Sequence, residues 1–532
     1  MSGIDMRFRQ SLQFVGQVIQ KRKVLVALAT AALVATPASM AAALSNWSTV
    51  TTVSATGTNA PYSSVASSSD GSVLMSAWSE DSGGTYTIRA AFATVVFDAS
   101  GGGTATWSTP LTVWSGTEAP LFLTAGLSTN GQTASLQWVS YGEGYGIRGV
   151  AATLSGSTAS WGAIAEGVAP ADRCAFTRSA AFEMSANGSA VIADWTCVVD
   201  GVGEALKAAP ASISGNTLTW GGVSTLNTAG GSASAAAAAI SADGGRSTIA
   251  WTWCNSSTFV CQVDSASATI SNAYARWGGV TMMSGTGVTP TRVSIALSAD
   301  GSVVTGAWVR RTDANIPRIE SVSGIVSDIT PAWGTPTWVS PDSATDSAVN
   351  PAVAMSSDGL KATMMWTTMQ PGPAYLQQSS STVLTGSSQS WTTPTTASLT
   401  TEQSSMSAFK MSSDGSKVTA VFFGVNSSTG VTSVRWASGT TTAAVTTWSE
   451  TGAVTSSNNM ASNPHIAISA DGAHAVASWS VFDGSSAFLT QVAYAPISAV
   501  QPAKNFGKVK DQTIDPKTRD RTSISGSFPG KK

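Results

Sequence analysis

The side chains that enzymes use most often for nucleophilic and acid–base chemistry are scarce in this sequence. It has two histidines, His465 and His474, and neither stands beside the Gly-x-Ser-x-Gly motif that activates a hydrolase serine. A glycine-rich phosphate loop and a Cys-x-x-Cys pair for zinc are also absent. We therefore predict no catalytic residue, no cofactor and no metal ion, and we favour a protein that is not an enzyme.

Residues suited to ligand binding occur instead in polar segments between predicted strands. Aromatic rings provide stacking surfaces, while carboxylate and guanidinium groups supply directional hydrogen bonds. This mixture suits a glycan or a peptide, and six residues carry it: Trp114, Glu143, Tyr145, Arg310, Arg311 and Asp342. The alternative is an extracellular glycan-acting hydrolase or lyase, which would need converging carboxylates beside an Arg or Tyr.

The charge distribution excludes one class of partner. Residues 44–500 contain 15 Lys and Arg against 26 Asp and Glu, which gives this central part a net charge of -11. Binding to nucleic-acid phosphates depends on clustered Lys and Arg. We therefore expect no nucleic-acid partner.

Both ends of the chain differ from its centre. Residues 1–43 contain basic residues followed by an apolar run, VLVALATAALVATPASMAAA, that ends in small residues. This pattern is typical of a signal peptide cleaved after Ala41 or Ala43, although an uncleaved membrane anchor has a similar length. Residues 501–532 carry eight Lys and Arg against three Asp, which predicts a basic, disordered tail. We expect a secreted protein, extracellular or in the periplasm and cell envelope, without a membrane span after signal removal.

A hairpin signal recurs eight times between these ends. An Asp-Gly or Asn-Gly pair, which favours tight turns, recurs every 56 to 60 residues. Eight copies at a nearly fixed period indicate a repeat architecture. The pairs begin at Asp70, Asn130, Asn187, Asp243, Asp300, Asp358, Asp414 and Asp471, and eight positions later stand Trp78, Trp138, Trp195, Trp251, Trp308, Trp366, Phe422 and Trp479.

A second series of tryptophans recurs with the same period as the turns. Each unit divides into four short strands, of which the fourth is predicted to begin at one of these tryptophans, as in WSTVTTV. Four strands per repeat predict propeller blades, so the expected fold is all-β: an eight-bladed β-propeller of four-stranded antiparallel blades over residues 44–500. The series is Trp47, Trp107, Trp161, Trp220, Trp277, Trp333, Trp391 and Trp448.

The ends of the repeat array predict how the ring closes. The eighth turn unit has no Trp-led strand after it, whereas the chain opens with such a strand at Trp47 that has no turn unit before it. We predict that residues 45–53 complete the last blade, which removes an exposed sheet edge. The alternative is a closing strand around Phe506.

A polar residue also recurs on the predicted third strand. In a closed propeller these residues would form a ring, but strand alternation alone explains the pattern, so we favour a structural or surface role. The series is Arg89, Arg148, Lys207, Gln262, Arg318, Gln377, Arg435 and Gln491.

The phrases SSSDG, ISADG, LSADG and MSSDG resemble the Ser-x-Asp-Gly turn of WD40-like propeller repeats in secreted bacterial proteins. The resemblance covers residues 45–500 and implies the propeller fold, but it does not specify a function. We expect a binding role for a protein or glycan at the cell surface because charged residues are sparse, the blades are nearly uniform and histidine is scarce. We expect a monomer. The similarity to sialidase Asp-boxes is faint because Gly follows Asp directly, and quinoprotein propellers share only blade number and Trp placement.

The four cysteines suit an exported chain. Cys254 and Cys261 flank a predicted hairpin, and Cys174 and Cys197 lie on either side of the Asn187-Gly188 turn. An even number of cysteines in an oxidising compartment favours disulfides. We predict the pairs Cys174–Cys197 and Cys254–Cys261.

Overall fold

A computed structural model describes most of the region between the two terminal segments. The residues that it describes are 47–48, 50–55, 59–98, 103–142, 144–168, 174–175, 177, 179–199, 203–227, 230–286, 289–370, 375–400, 402–426, 429–455, 461–484 and 487–497. Residues 1–43, which are predicted to be a signal peptide, the basic segment 501–532 and Phe506 lie outside these residues. No helix long and apolar enough to cross a membrane occurs among them.

The described chain forms β-strands only, arranged in eight small antiparallel sheets. The first strand, β1 (Thr51–Thr52), belongs to the last sheet. Polar turns and β-branched residues at short spacing favour this architecture over helices. The strands of blades 1 to 4 are β2 (Ser63–Ser67), β3 (Val73–Ser82), β4 (Thr85–Phe97), β5 (Gly103–Trp107) and β6 (Leu111–Gly116); β7 (Ala119–Leu127), β8 (Thr133–Gly142), β9 (Gly144–Ser155), β10 (Thr158–Trp161) and β11 (Ala165–Glu166); β12 (Ala180–Met184), β13 (Ala190–Val199), β14 (Gly203–Ser214), β15 (Thr217–Trp220) and β16 (Ser224–Thr225); and β17 (Gly231–Ile240), β18 (Arg246–Asn255), β19 (Cys261–Ser271), β20 (Tyr274–Trp277) and β21 (Thr281–Met282).

Blades 5 to 8 differ in strand number: blade 5 has five strands like blades 1 to 4, and blades 6 to 8 have four. Their strands are β22 (Thr291–Leu297), β23 (Val303–Arg311), β24 (Pro317–Ser327), β25 (Thr330–Trp333) and β26 (Thr337–Trp338); β27 (Ser347–Met355), β28 (Lys361–Met369), β29 (Tyr375–Val383) and β30 (Thr395–Thr396); β31 (Glu402–Met411), β32 (Lys417–Asn426), β33 (Thr432–Thr442) and β34 (Val445–Ala453); and β35 (Ala461–Ile468), β36 (His474–Phe482) and β37 (Phe488–Pro496), with β1.

The first strand of each blade lies innermost and contacts the first strand of the next blade. The series runs from β2 through β35, and β35 in turn contacts β2. Eight sheets therefore close into a ring around a central channel lined by the inner strands. This confirms the predicted eight-bladed propeller.

The N-terminal segment completes the eighth blade. Strand β1 pairs antiparallel with β37, with Thr51 opposite Val492 and Thr52 opposite Gln491. The backbone N–H of Ser48 donates to Tyr494 O at 2.6 Å, which extends the pairing toward Trp47. The Trp47 ring lies edge-on to Trp436 of blade 7 at 6.0 Å. The prediction that an N-terminal strand closes the ring is confirmed.

The outer strands differ from their prediction. In blades 1 to 5 the second-series tryptophan ends the fourth strand, as in β5 and β25, and does not begin it. The chain then breaks and a short segment, such as β6 or β26, pairs again with the third strand. The strand predicted to start at the tryptophan is therefore the second half of a divided outer strand, because a long third strand offers pairing positions on both sides of the break.

The Asp-Gly turns form a continuous belt at one face of the ring. Within each turn the Ser hydroxyl donates to the Asp or Asn side chain at 2.5 to 2.8 Å. Between turns, a backbone N–H donates to a carbonyl of the next blade at 2.6 to 2.9 Å, shifted by one residue at blade 3. The hydrogen bond from Ser298 lowers the pKa of Asp300, so its carboxylate stays ionised and holds the turn. The belt donors are Ser69, Thr129, Asn187, Ala242, Ala299, Ser357, Ser413 and Ala470.

The turn glycines set the spacing between blades. All eight have φ between +63° and +77°, a conformation that disfavours other residues. A Cβ at any of them would lie 2.7 to 2.9 Å from a side-chain atom of the preceding blade. The glycine at each turn is therefore required for both conformation and close approach.

The core lies between the sheets and is built from the first aromatic series. Seven of its eight members are completely buried, and Trp195 is 2% exposed. Burial of a tryptophan removes on the order of 200 Å² from water. The aromatic on each second strand is therefore the main apolar contact between adjacent blades.

Replacement of a turn glycine tests the spacing. We expect Gly301→Ala to lower the free energy of unfolding by about 2 to 4 kcal/mol, because φ is +72° and the new methyl would lie 2.8 Å from the Arg246 Cβ. Gly222→Ala, whose Cβ would meet no atom within 4 Å, is the control and should change it by less than about 0.5 kcal/mol. Urea unfolding measures both. Equal effects would contradict the spacing role.

His465 on inner strand β35 predicts a pH dependence. Burial, assisted by Lys410, lowers the pKa of His465 to about 4 from 6.5. Between these values the unfolded state binds a proton that the folded state does not, so stability falls as pH falls from 6.5 to 4, by at most about 3 kcal/mol. His465→Gln should flatten this part of the stability curve. Identical pH slopes for the two proteins would refute the assignment.

Candidate functional site

An open cleft of about 390 Å³ lies on blade 5, at the face opposite the turn belt. Two connections build it: the hairpin between β23 and β24, and the segment that follows β26 toward blade 6. Its charged and aromatic lining residues are Arg310, Arg311, Asp313, Arg318, Trp338 and Asp342. We call this the blade-5 cleft.

Local hydrogen bonds fix the hairpin that forms one wall. Thr312 N–H donates to Ile316 O at 2.9 Å, and Asn315 N–H donates to Thr312 O at 2.8 Å. Asn315 has φ of +63°, a conformation that Asn tolerates better than most residues. The Arg311 guanidinium donates to Asn315 O at 2.9 Å and so lies across the hairpin tip.

Trp338 forms the floor of the cleft, and two guanidinium groups pack over its ring. The Arg318 carbon Cζ lies 4.5 Å from the Trp338 ring centroid, and that of Arg310 lies 5.2 Å from it. Both distances are within the range of cation–π attraction. Trp338 nevertheless remains 37% exposed, so part of the ring is available to a ligand.

A buried carboxylate anchors one of these arginines. Glu320, at 4% exposure, accepts hydrogen bonds from Arg310 Nη1 at 2.7 Å and from Trp308 Nε1 at 3.0 Å. The core tryptophan and the cleft are therefore connected through one side chain. Glu320 also lies opposite Trp338 in the strand pairing, which holds the floor in register.

The remaining polar groups leave the cleft open to an acidic ligand. Arg318 Nη1 donates to Asp342 Oδ1 at 2.9 Å and Nη2 donates to Ser340 O at 2.8 Å. Among the described residues Arg311 has Asn315 as its hydrogen-bond partner and pairs with no carboxylate. Three guanidinium groups thus converge within a central part of the chain that is acidic.

Three of the six residues predicted to bind a ligand meet in this cleft. Arg310 and Arg311 end β23, and Asp342 reaches the same cleft from the segment after β26. Trp114 and Tyr145 lie instead on blades 1 and 2, and Glu143 is outside the described residues. The six residues therefore do not form one site.

The two aromatic residues on blades 1 and 2 take part in packing. Trp114 lies 6.0 Å from Trp138 and 5.7 Å from the Arg148 guanidinium, between the two blades. The Tyr145 ring lies 4.6 Å from the Tyr141 ring, centroid to centroid, at an angle of 30°, and burial together with that neighbour raises the pKa of Tyr145.

Both predicted disulfides are present. Cys254 and Cys261 are direct partners across the β18–β19 hairpin. Cys197 on β13 bonds to Cys174, whose backbone pairs with Tyr145 of blade 2. This second bond therefore ties blade 3 to the boundary with blade 2.

The polar residues of the third strands do not form a regular ring. Five of them lie opposite the second-strand aromatic, but Gln262 lies opposite Trp253, Arg318 opposite Arg310, and Gln377 opposite Thr367. Hairpins of different length shift the pairing in blades 4 to 6. Arg318 is thereby displaced into the cleft. The five in register are Arg89, Arg148, Lys207, Arg435 and Gln491.

Sequence reasoning missed Trp338 as a site residue. It is one of only four tryptophans outside the two periodic series, and the others are Trp114, Trp253 and Trp436. Of these four, Trp338 is the only one in the exposed class, whereas Trp436 is buried at 2% exposure, so departure from the repeat alone does not identify a site residue. Among the described residues no three His, Cys, Asp or Glu side chains are grouped to hold a metal ion.

The similar proteins of known structure include β-propellers. No protein-family model and no curated protein matches the sequence. Solved structures do match at low similarity. The WD40 domain of SCAP from fission yeast has 9% identity, covers 85% of this chain and 99% of its own, and gives a TM-score of 0.43. The β-propeller domain of the Trilobed protease from Pyrococcus furiosus has 8% identity, coverage of 75% and 98%, and a TM-score of 0.39. The polysaccharide lyase Uly1 has 7% identity, coverage of 81% and 90%, and a TM-score of 0.41.

Removal of the Glu320 carboxylate tests its role in holding the cleft. We expect Glu320→Ala to lower the free energy of unfolding by about 2 to 4 kcal/mol, because the Trp308 N–H and the Arg310 guanidinium lose a buried partner. The control is Asp328→Ala, which breaks the exposed pair with Arg276 and should change it by less than about 1 kcal/mol. Denaturant unfolding measures both. A smaller loss in Glu320→Ala than in the control would contradict the anchoring role.

Proposed function

We propose that this propeller is a secreted or envelope-associated binding module that recognises a protein or carbohydrate ligand through the blade-5 cleft. One observation carries the proposal: a partly exposed tryptophan and three arginines converge in an open cleft on the face away from the turn belt. Aromatic and arginine side chains are the residues that most often dominate binding energy.

The charge of the cleft selects the ligand class. Arg311 carries a guanidinium that no described carboxylate neutralises, and Asp342 is 88% exposed although one of its oxygens accepts from Arg318. An acidic group on the ligand would pair with Arg311, while its hydroxyl or amide groups would reach Asp342. A glycan that contains uronic acids, or an acidic peptide segment, fits this arrangement.

Export is part of the proposal. The basic and then apolar N-terminal segment has the pattern of a signal peptide, and two disulfides are compatible with an oxidising compartment. Blades that repeat closely, joined on one face by loops of different sequence, suit a rigid scaffold that presents a recognition surface.

A second candidate function is hydrolysis or cleavage of a glycan. Asp313 and Asp342 both line the blade-5 cleft beside arginines, and paired carboxylates are what such reactions use. Turnover of chromogenic glycosides that Asp342→Asn abolishes would favour this alternative over a binding module.

The binding proposal is tested on a glycan array supplemented with oligogalacturonides and polyglutamate peptides. We expect an acidic ligand to bind, and Arg311→Ala and Trp338→Ala to weaken that binding by about fivefold or more, because each removes a contact in the cleft. Arg276→Ala, an exposed arginine on the outer strand of blade 4, is the matched control and should bind normally.

Two outcomes would overturn the assignment. One is unchanged affinity in both cleft variants, and the other is absence of binding to every acidic ligand on the array. Thermal unfolding of each variant separates lost contacts from lost fold. Arg311 is the decisive position because its side chain is exposed and supports no core residue.

A further inference from the structure

The central channel carries a second constellation, independent of the blade-5 cleft. It lies on the inner strands at the position four residues before the turn Asp or Asn. Six of the eight residues there are Ala or Gly, and the other two are Glu183 on β12 and Lys410 on β31. We call this set the charged tier; its members are Ala66, Gly126, Glu183, Ala239, Ala296, Ala354, Lys410 and Ala467.

Ring closure places the two charges opposite each other. Glu183 belongs to blade 3 and Lys410 to blade 7, which are four blades apart in a ring of eight. Both side chains are solvent-exposed although they stand on innermost strands, so the solvent that they contact is that of the channel. The other six members of the tier are Ala or Gly, so none of them places a long side chain in the channel at this level.

The two charges interact without touching. Burial raises the pKa of Glu183, and the positive charge of Lys410 partly offsets that increase. Within the described part of the chain neither side chain forms an ion pair or a hydrogen bond. A gap therefore separates a carboxylate from an ammonium group across the channel.

The acidic wall has a second carboxyl group. Asp194 on β13 is completely buried and shares a sheet face with Glu183, since Glu183 is paired with Ile192 and Asp194 with Ala181. Neither Asp194 oxygen has a hydrogen-bond partner among the described residues. Burial and the charge of Glu183 raise the pKa of Asp194 well above its usual range.

A second level of the inner strands lies toward the face away from the turn belt. Backbone bulges occur on five inner strands at residues with positive φ, eight positions before the turn: Phe122, Ala235, Arg292, Asn350 and Asn463. A cavity of about 620 Å³ lies against three of these bulges, on blades 4 to 6. Four residues of strand, about 13 Å, separate this level from the charged tier.

From this arrangement we propose that the channel binds a small zwitterionic molecule whose ammonium group contacts Glu183 and whose carboxylate contacts Lys410. A simple cation would be attracted to Glu183 but repelled by Lys410. A simple anion would be attracted to Lys410 but repelled by Glu183. An ω-amino carboxylate can form an ion pair with Glu183 through its ammonium group and with Lys410 through its carboxylate. Because the low-dielectric walls screen charge less than water does, the preference is expected to be strong.

The test uses isothermal titration calorimetry on the full propeller with three probes of increasing length: γ-aminobutyrate, 5-aminovalerate and 6-aminohexanoate. We expect at least one to bind the unaltered protein, and butyrate and butylammonium to bind at least about tenfold more weakly, since each lacks one charged contact. Glu183→Gln and Lys410→Met should each weaken the zwitterion by a similar factor.

A charge exchange distinguishes direct contact from a general effect on the fold. The double variant Glu183→Lys with Lys410→Glu keeps both charges and reverses the field, so it should bind the same probe with affinity close to that of the unaltered protein. Trp338→Ala, in the blade-5 cleft, should also leave this binding unchanged. Normal binding in either single variant, equal binding of butyrate or butylammonium, or binding by no probe would overturn the proposal.

Discussion

The close approach of neighbouring blades at the Asp-Gly turns is the constraint on which the rest of the structure depends. Each turn glycine lies against the second strand of the preceding blade, and each turn donates a backbone hydrogen bond to the next. A ring closes only if the eight angles between blades add up to a full circle, so a common spacing at this face fixes the number of blades. The buried tryptophans then fill the wedge that this spacing leaves between sheets.

A second set of close contacts acts at the outer edge. The glycines that follow Trp161, Trp220, Trp277 and Trp333 have ordinary backbone conformations, but a Cβ there would lie 1.6 to 2.3 Å from a carbonyl oxygen of the next blade. Spacing is thus set near the channel by one glycine and at the rim by another. The hairpins on the opposite face are free of both constraints, which explains why the cleft residues vary from blade to blade.

Much of the fold could be predicted because its signals are local and repeated. The turn dipeptides and the aromatic eight positions later lie within one hairpin, so their period alone indicates the blades. The break in the outer strand could not be predicted, because pairing of β4 with both β5 and β6 depends on the length of the third strand and not on Trp107 itself. The displacement of Arg318 into the cleft could not be predicted either, because it depends on hairpin length and strand pairing and not on Arg318 itself.

The candidate sites likewise contain some residues that the sequence could indicate and others that it could not. Arg310, Arg311 and Asp342 could be selected because they are charged residues in predicted loops, whereas Trp338 required attention to a tryptophan that breaks the series. Glu183 and Lys410 are 227 positions apart in the sequence. Nothing local relates them, since their opposition arises from the closure of eight blades.

The pairing of β1 with β37 also governs the order in which the molecule can be assembled. Strand β1 leaves the ribosome before any blade exists, and its partner, Phe488–Pro496, is the last strand along the chain that the structure describes. The chain must therefore hold an unpaired segment through the synthesis of seven complete sheets, which is the kind of distant contact that slows folding and invites chaperone binding. Circular permutation that moves residues 47–55 behind Pro496 would make every blade contiguous and remove that delay.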